Sequence, residues 1–314
     1  MVMLFWVVVF VASLYALIVA SDHFTDSAEK IGLYFGMPPF LIGAFILSVG
    51  TSLPELANGI FSVINGVSDV VVGNVLGANI SNILLVLGVS AVVAGKLKIT
   101  REVVHVDLPL LMGSALWVVF VALDGKLVFW EAVLTIIFLV VFLRYAISGK
   151  VEEFGKKVLK KKVHPKVTAK NIVVLVLSAV LIYFGAKFTV ESLLVISRLI
   201  AVNEGIIAAT ALAVGTTLPE LAVSLQAARK KKYELAIGTV LGSNIINVLL
   251  VLGVSGLIST ITFSHNMLFV VLPFMVGATL LFLFTTQGKV VTKHEGWMLL
   301  LMYALFIGTM FFIG

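Results

Sequence analysis

A proline and a carboxylate stand side by side in the middle of a long apolar run, and they do so twice. The first copy is Gly50-Thr51-Ser52-Leu53-Pro54-Glu55; the second is Gly215-Thr216-Thr217-Leu218-Pro219-Glu220. An acidic side chain at mid-membrane depth costs roughly 2.5–3.5 kcal/mol on insertion scales, so its presence there points to function. Pro54 has no N–H to offer the carbonyl of Gly50, and its ring crowds that carbonyl. The expected result is a broken helix, with backbone oxygen freed beside a carboxylate and the hydroxyls of Thr51 and Ser52. A protein interior or a wet cavity tolerates such a break, and lipid does not. Carbonyls, hydroxyls and carboxylates are hard oxygen ligands that suit Na⁺, Ca²⁺ or Mg²⁺. A single copy would be explained equally well by a proline kink with a structurally paired acid. Two copies in matched positions argue against that.

The surrounding chain fits a membrane. Of its 314 residues 61% are hydrophobic and only 12% are charged, about half the charge of an ordinary soluble domain. This is an all-α polytopic membrane protein, long enough for about ten spans of ~20 residues. The apolar runs place spans at 2–20, 39–64, 70–94, 103–123, 127–147, 171–189, 202–228, 233–258, 266–285 and 295–313. A polar link with Asp22, Asp26 and Glu29 is expected after the first span, and a lysine-rich loop after the fifth. The first run lacks a basic leader and reads as a span rather than a cleaved signal. There is no cysteine, which excludes disulfides and thiolate sites. The net charge of +6 is mostly loop lysine, and reads as topology and contact with anionic membrane lipid, not nucleic-acid binding. Phosphate-loop, nucleophile-elbow and haem motifs are lacking, no cofactor or protein partner is evident, and the chain is not expected to be an enzyme.

Halfway along, the pattern restarts. Glu220 minus Glu55 is 165, and so is Asn247 minus Asn82. Val75-Leu76-Gly77-Ala78-Asn79-Ile80-Ser81-Asn82 thereby faces Val240-Leu241-Gly242-Ser243-Asn244-Ile245-Ile246-Asn247 without a gap. The chain divides into a first five-span repeat (1–147), a basic linker (148–170) and a second five-span repeat (171–314). Five is odd, so the repeats are inverted in the membrane. Basic residues assign the sides. With both termini outside, the cytoplasmic loops hold Lys96, Lys98 and Arg101, the 148–170 linker, Arg229 to Lys232, and Lys289 with Lys293. Lys187, near the expected end of the sixth span, can snorkel to the interface.

Inverted repeats with broken helices are a transporter signature, with the site at the midplane where the repeats meet. Glu55 and Glu220 would then face each other. Two carboxylates in a low-dielectric core cannot both stay charged unaided, but one divalent or two monovalent cations neutralise them. A site that takes either ion and is not easily left empty suits an exchanger; protons could also relieve it, so a proton-coupled Ca²⁺/cation antiporter is the alternative. A channel or scaffold would leave the duplication unexplained. Gly73, Gly77, Gly238 and Gly242 should allow close helix approach, so that Ser81, Asn82, Ser243 and Asn247 reach the broken helices. Asn79 and Asn244 are expected to bond either an ion or the freed backbone of spans two and seven. No two of the five histidines have ligand spacing.

These motifs resemble the two alpha repeats of the sodium/calcium exchanger family within the calcium/cation antiporter superfamily, over essentially the whole chain, and its small size is similar to prokaryotic members. The resemblance implies a ten-helix, multi-pass antiporter of the cell membrane that exchanges Na⁺ for Ca²⁺ by alternating access and is electrogenic. It implies Ca²⁺ ligation by Glu55 and Glu220 with main-chain oxygens of Thr51 and Thr216. Na⁺ would be held by Ser52, Thr217 and Ser243 and by carbonyls of Ser48 and Ala213, with Asn82 and Asn247 at the centre of the site. Spans one and six would slide over the rest. Two positions depart from the family pattern. Ala78 stands where a serine is common, which bears on the number of Na⁺ ions. Asn247 stands where the potassium-dependent branch resembles aspartate, which argues against potassium dependence.

Overall fold

A computed structural model of the protein describes residues 2–99, 108–148, 167–199 and 217–313. These contain ten helical segments: α1 Val2–Tyr34, α2 Pro39–Ile64, α3 Ser68–Ala94, α4 Leu108–Asp124, α5 Phe129–Ser148, α6 Ala169–Leu199, α7 Leu218–Arg229, α8 Tyr233–Ile258, α9 Met267–Gln287 and α10 Lys293–Ile313. Among the described residues six of them, α1, α2, α3, α6, α8 and α9, are long and apolar enough to cross a membrane. The fold is that of a polytopic membrane protein built from two inverted five-helix repeats.

Four two- or three-residue strands tie the repeats together. β1 (Lys96–Lys98) pairs antiparallel with β4 (Val290–Thr292), and β2 (Lys126–Leu127) pairs with β3 (Ile261–Thr262). Leu97 opposes Val291 and Leu127 opposes Ile261, all four buried. Each ribbon joins one repeat to the other. β1 follows α3 and β4 precedes α10, with an even number of helices between them; the same holds for β2 and β3. Alternating crossings put both members of each ribbon on one side, which is the arrangement an inverted five-plus-five chain requires.

Burial grades from the centre outward. Across its most apolar stretch α8 is 94% buried and α1 only 6%. Every residue of α8 from Leu235 to Ile246 is buried, as expected of a helix apolar on all faces. Glycines let α2 and α8 meet backbone to backbone. A Cβ on Gly238 would lie 2.2 Å from the Phe40 carbonyl oxygen, one on Gly242 2.2 Å from that of Ala44, and one on Gly43 2.3 Å from that of Leu235. Gly238 and Gly242 thus serve as expected. Gly73, by contrast, meets only the Met267 methyl at 3.1 Å.

α1 and α6 lie outside this core and pack mainly on each other. Leu17 sits 3.1 Å from where a Gly185 Cβ would be, and the Thr189 hydroxyl donates to Ser13 Oγ at 2.9 Å. Both helices are longer than expected. α1 continues without interruption to Tyr34, so the supposed polar link is its last three turns. Asp22, Asp26 and Glu29 recur at helical spacing and form one acidic stripe. Lys230 Nζ reaches Asp22 at 2.6 Å and Asp26 at 2.8 Å; Lys232 Nζ reaches Asp26 and Glu29 at 2.7 Å each. α6 likewise runs on to Leu199, which carries Glu191 and Arg198 within the helix rather than in a loop.

Candidate functional site

The first motif lies in α2, but the helix does not break there. The chain stays α-helical from Ser48 through Pro54 to Ile64. The irregularity falls one turn earlier, at Ile42–Leu47, where the hydrogen bonds lengthen to the wider π pattern. Proline removes one bond from a helix and need not end it when neighbours are packed closely. The Thr51 hydroxyl donates to the Ser48 carbonyl at 3.2 Å and that of Ser48 to the Ala44 carbonyl, so side chains bond backbone oxygens in the turns that precede the proline. In the second repeat α7 begins at Leu218, with Pro219 in the first turn where a missing N–H costs nothing. Thr216 and Ala213 lie outside the described residues.

Two further π-turns occur at matched positions, Asn82–Leu87 in α3 and Asn247–Leu252 in α8. Each starts at the asparagine singled out above. π-turns inside α-helices cluster at functional sites, and these two obey the 165-residue offset.

The motif side chains converge at the centre. Glu55 is 2% exposed; Glu220, Ser48, Asn82, Ser243 and Asn247 are fully buried, and Thr51, Ser52 and Thr217 are at 1%. Glu55 and Glu220 lie within Coulombic reach of each other, and the Thr51 and Ser52 hydroxyls of the first repeat lie beside the Glu220 carboxylate of the second. Those hydroxyls are near rather than aligned: neither Glu220 oxygen makes a hydrogen bond of acceptable geometry with a protein group. The same is true of both Glu55 oxygens, the side-chain amides of Asn82 and Asn247, and the hydroxyls of Ser52 and Ser243. Buried polar atoms normally find partners, and an ionised carboxylate without one is especially costly. So many orphans in one place form a donor set for a bound species. Two carboxylates with amide and hydroxyl oxygens match a hard cation. No group of three or more Asp, Glu, His or Cys arranged to hold a metal ion occurs among the described residues, so the charge available at the centre is that of the two glutamates.

Asn79 and Asn244 behave differently from expectation. Asn79 Nδ2 donates to the Asn244 backbone carbonyl at 3.1 Å, and Asn244 Nδ2 donates to the Val240 carbonyl at 2.7 Å. Asn79 thus braces α3 against α8, while Asn244 bonds one turn back within α8; neither amide nitrogen bonds the backbone of spans two and seven, and both Oδ1 atoms stay unpartnered. Ser81 approaches Tyr303 Oη at 3.5 Å, so it turns toward α10.

A cavity of about 310 Å³ leads to Glu55, lined by Pro54, Asn58, Asn74, Tyr183, Lys187 and Pro219 among others. It opens through the Ile64 end of α2 and the Ser68 end of α3, the side that carries the β2–β3 ribbon. Asn58 and Asn74 were not singled out in the sequence as site residues, and Lys187 was expected only to snorkel to the interface. Asn58 was legible, one turn beyond Glu55 on the same helix face. Asn74 lies on the i, i+4 line through Ala78 to Asn82, and its amide is also unpartnered.

The family model described as sodium/calcium exchanger protein matches residues 5–148 and 170–312. The sodium/calcium exchanger MaX1 of Methanosarcina acetivorans is 31% identical over 342 residues, covering 95% of this chain and 96% of that protein. The inner membrane protein YrbG of Escherichia coli is 29% identical over 256 residues, 79% of this chain and 78% of its own. Among solved structures, the sodium-calcium exchanger NCX_Mj superposes with a TM-score of 0.82 at 25% identity, over 97% of this chain and 98% of that one. The duplicated carboxylate site thus sits in a shared fold, and the chain belongs to the sodium/calcium exchanger family.

Proposed function

We propose that this protein is a secondary antiporter that exchanges Na⁺ for Ca²⁺ across a cell membrane by alternating access. The observation that carries the reading is the pair of buried repeat-mate carboxylates, Glu55 and Glu220, whose four oxygens meet no protein donor. One Ca²⁺ balances both charges, and so do two Na⁺. The relatives named for sodium/calcium exchange support the same cargo.

In this reading Glu55 and Glu220 hold Ca²⁺ with main-chain oxygens of Thr51 and Thr216. Ser52, Thr217 and Ser243 and the carbonyls of Ser48 and Ala213 hold Na⁺, and Asn82 and Asn247 line the centre. Transport needs no cofactor. Exchange is electrogenic, with more than two Na⁺ per Ca²⁺. The basic loops place the β1–β4 face in the cytoplasm and both termini outside, so the cavity at Glu55 faces outward.

The test is uptake of radiolabelled Ca²⁺ into Na⁺-loaded proteoliposomes at equal pH on both sides, with the potential clamped by valinomycin and K⁺. Uptake that needs internal Na⁺ and rises with internal positive potential is expected. Uptake driven by a pH gradient and indifferent to Na⁺ would overturn the reading.

A further inference from the structure

Lys187 minus Asp22 is 165, the offset that relates the two site glutamates. These repeat mates lie on the two outer helices and carry opposite charge. One turn further along each helix the mates Glu191 and Asp26 share a sign, so the reversal is confined to one position.

Lys187 is not at the end of its helix. α6 continues to Leu199, which places ~18 Å of helix beyond it at 1.5 Å per residue. Its side chain lines the cavity that reaches Glu55, together with Asn58, Asn74 and Tyr183. Among the described residues it has no ion pair. A fixed positive charge therefore stands in the mouth of a pathway whose inner end is anionic.

The mates of these lining residues occupy a closed face. Tyr183 and Phe61 flank the cavity; their mates Ile18 and Gln226 are joined, Gln226 Nε2 donating to the Ile18 carbonyl at 3.3 Å. Asn58 lines the cavity and is exposed, whereas its mate Val223 is fully buried. Lys187 is unpaired, whereas Asp22 is held by Lys230 at 2.6 Å. The same helix face is open and cationic on one side and shut and ion-paired on the other.

We propose that Lys187 is a specificity-determining residue, an electrostatic filter at the mouth on the β2–β3 face that disfavours divalent cations over monovalent ones. The interaction of a fixed charge with an ion scales with the ion's charge, so the energy penalty on Ca²⁺ is twice that on Na⁺ and the fold-reduction in Ca²⁺ occupancy is the square of that in Na⁺ occupancy. The filter favours Na⁺ entry and Ca²⁺ departure at this face. The cargo named here rests on the exchange reading above; the charge of the mouth does not.

The chain has no cysteine, so Asn58→Cys gives a single reporter in the cavity. In neutral detergent at low salt, its reaction rates with a cationic and an anionic methanethiosulfonate reagent are compared with and without Lys187→Gln. The cationic-to-anionic rate ratio should rise roughly threefold to tenfold in Lys187→Gln, for charges about 8 Å apart in a watery dielectric. Lys187→Asp should raise it further, Lys187→Arg should leave it alone, and 1 M salt should abolish the difference. A pair of unit probes of opposite sign reads the same exponent as one divalent ion. The half-saturating Ca²⁺ at the cavity face of proteoliposomes should therefore fall in Lys187→Gln by that same factor, and that of Na⁺ by its square root. An unchanged rate ratio would overturn the proposal, as would a changed ratio with unaltered Ca²⁺ half-saturation. Absence of any Na⁺-driven Ca²⁺ flux in the parent would instead defeat the exchange reading, while the labelling still decides whether Lys187 sets the charge of the mouth.

Discussion

The inner helices α2 and α8 are held together by a different kind of contact from that which holds the outer helix α1 to the core. Inside, carbonyl oxygens of one helix fill the places where Cβ atoms would be on the other, at Gly43, Gly238 and Gly242. Such contacts have no slack, since interiors are packed at crystal density. Outside, α1 meets the core through side chains, the Phe24 ring over Gly50 and Ile42 over Gly32, with one amide bond from Gln226 and four ion pairs at Lys230 and Lys232. The carboxylates of Asp22 and Asp26 are more than a third exposed, and pairs of that kind contribute only ~0–1 kcal/mol each before screening. The site is thus fixed where charge must be positioned, and its cover is attached by contacts that a sliding helix can exchange.

The contrast is sharpest at the carboxylates. Glu220→Gln removes half the charge that balances the ion and keeps the shape. Na⁺-driven Ca²⁺ uptake should fall by two orders of magnitude or more, with the melting temperature held within a few degrees; normal uptake would mean the two-carboxylate centre is misassigned. Next in size is the inner packing. Gly242→Ala sets a methyl 2.2 Å from the Ala44 carbonyl oxygen, and overpacking of this kind typically costs about 1–3 kcal/mol. A lower thermal midpoint by size-exclusion fluorescence is the expected readout. A wild-type midpoint would show that the inner helices are less rigid than the outer pair requires.

Smaller still is the latch between α1 and the α7–α8 turn. Lys230→Ala with Lys232→Ala should leave the midpoint almost unchanged and quicken labelling of Ser21→Cys from the β1–β4 face severalfold. Labelling at the parental rate would mean that these charges do not hold α1. Burial alone would lower the Lys230 ammonium, but its bonds to Asp22 and Asp26 outweigh that and hold it above the ordinary lysine value; Asp26 and Glu29 do the same for Lys232. A cation raised on folding contributes fully below its unfolded value and loses that contribution as pH climbs through the folded one. The latch should therefore hold across the neutral range and loosen only above the ordinary value of 10.5, so the ratio of Ser21→Cys labelling rates with and without the two lysine substitutions, which cancels the thiol's own ionisation, should not differ between mildly acidic and mildly basic buffer. The smallest effect is expected at Ala78, buried in α3 as the mate of Ser243. Ala78→Ser should tighten half-saturating Na⁺ a fewfold; an unmoved value would place Ala78 away from any Na⁺ site.

The parts legible in the sequence were those written in solvation. A carboxylate among apolar residues marked the centre, and the fixed offset exposed the inverted repeats. Features decided by packing were not. The stripe Asp22, Asp26, Glu29 looks like the end of a span, because local polarity does not reveal that lysines of a distant turn receive it. Pro54 looks like a helix break, because the sequence does not show the close packing in which a helix with one missing bond stays whole. Nothing in Asn-Ile-Leu-Leu-Val-Leu or Asn-Val-Leu-Leu-Val-Leu distinguishes a π-turn from an α-turn. Asn79 could be placed on a face but not given its partner, since the partner is a backbone carbonyl in the other repeat.

The two ribbons also bear on how the protein is made. Leu97 is synthesised 194 residues before its partner Val291, and Leu127 well before Ile261. The edge of each early strand has nothing to pair with until most of the chain has been inserted, and closing so long a loop is slow. Assembly of the halves is therefore a late event in biogenesis. Because each ribbon runs between the halves rather than within one, a gene cut inside the 148–170 linker should still yield two chains that find each other through them.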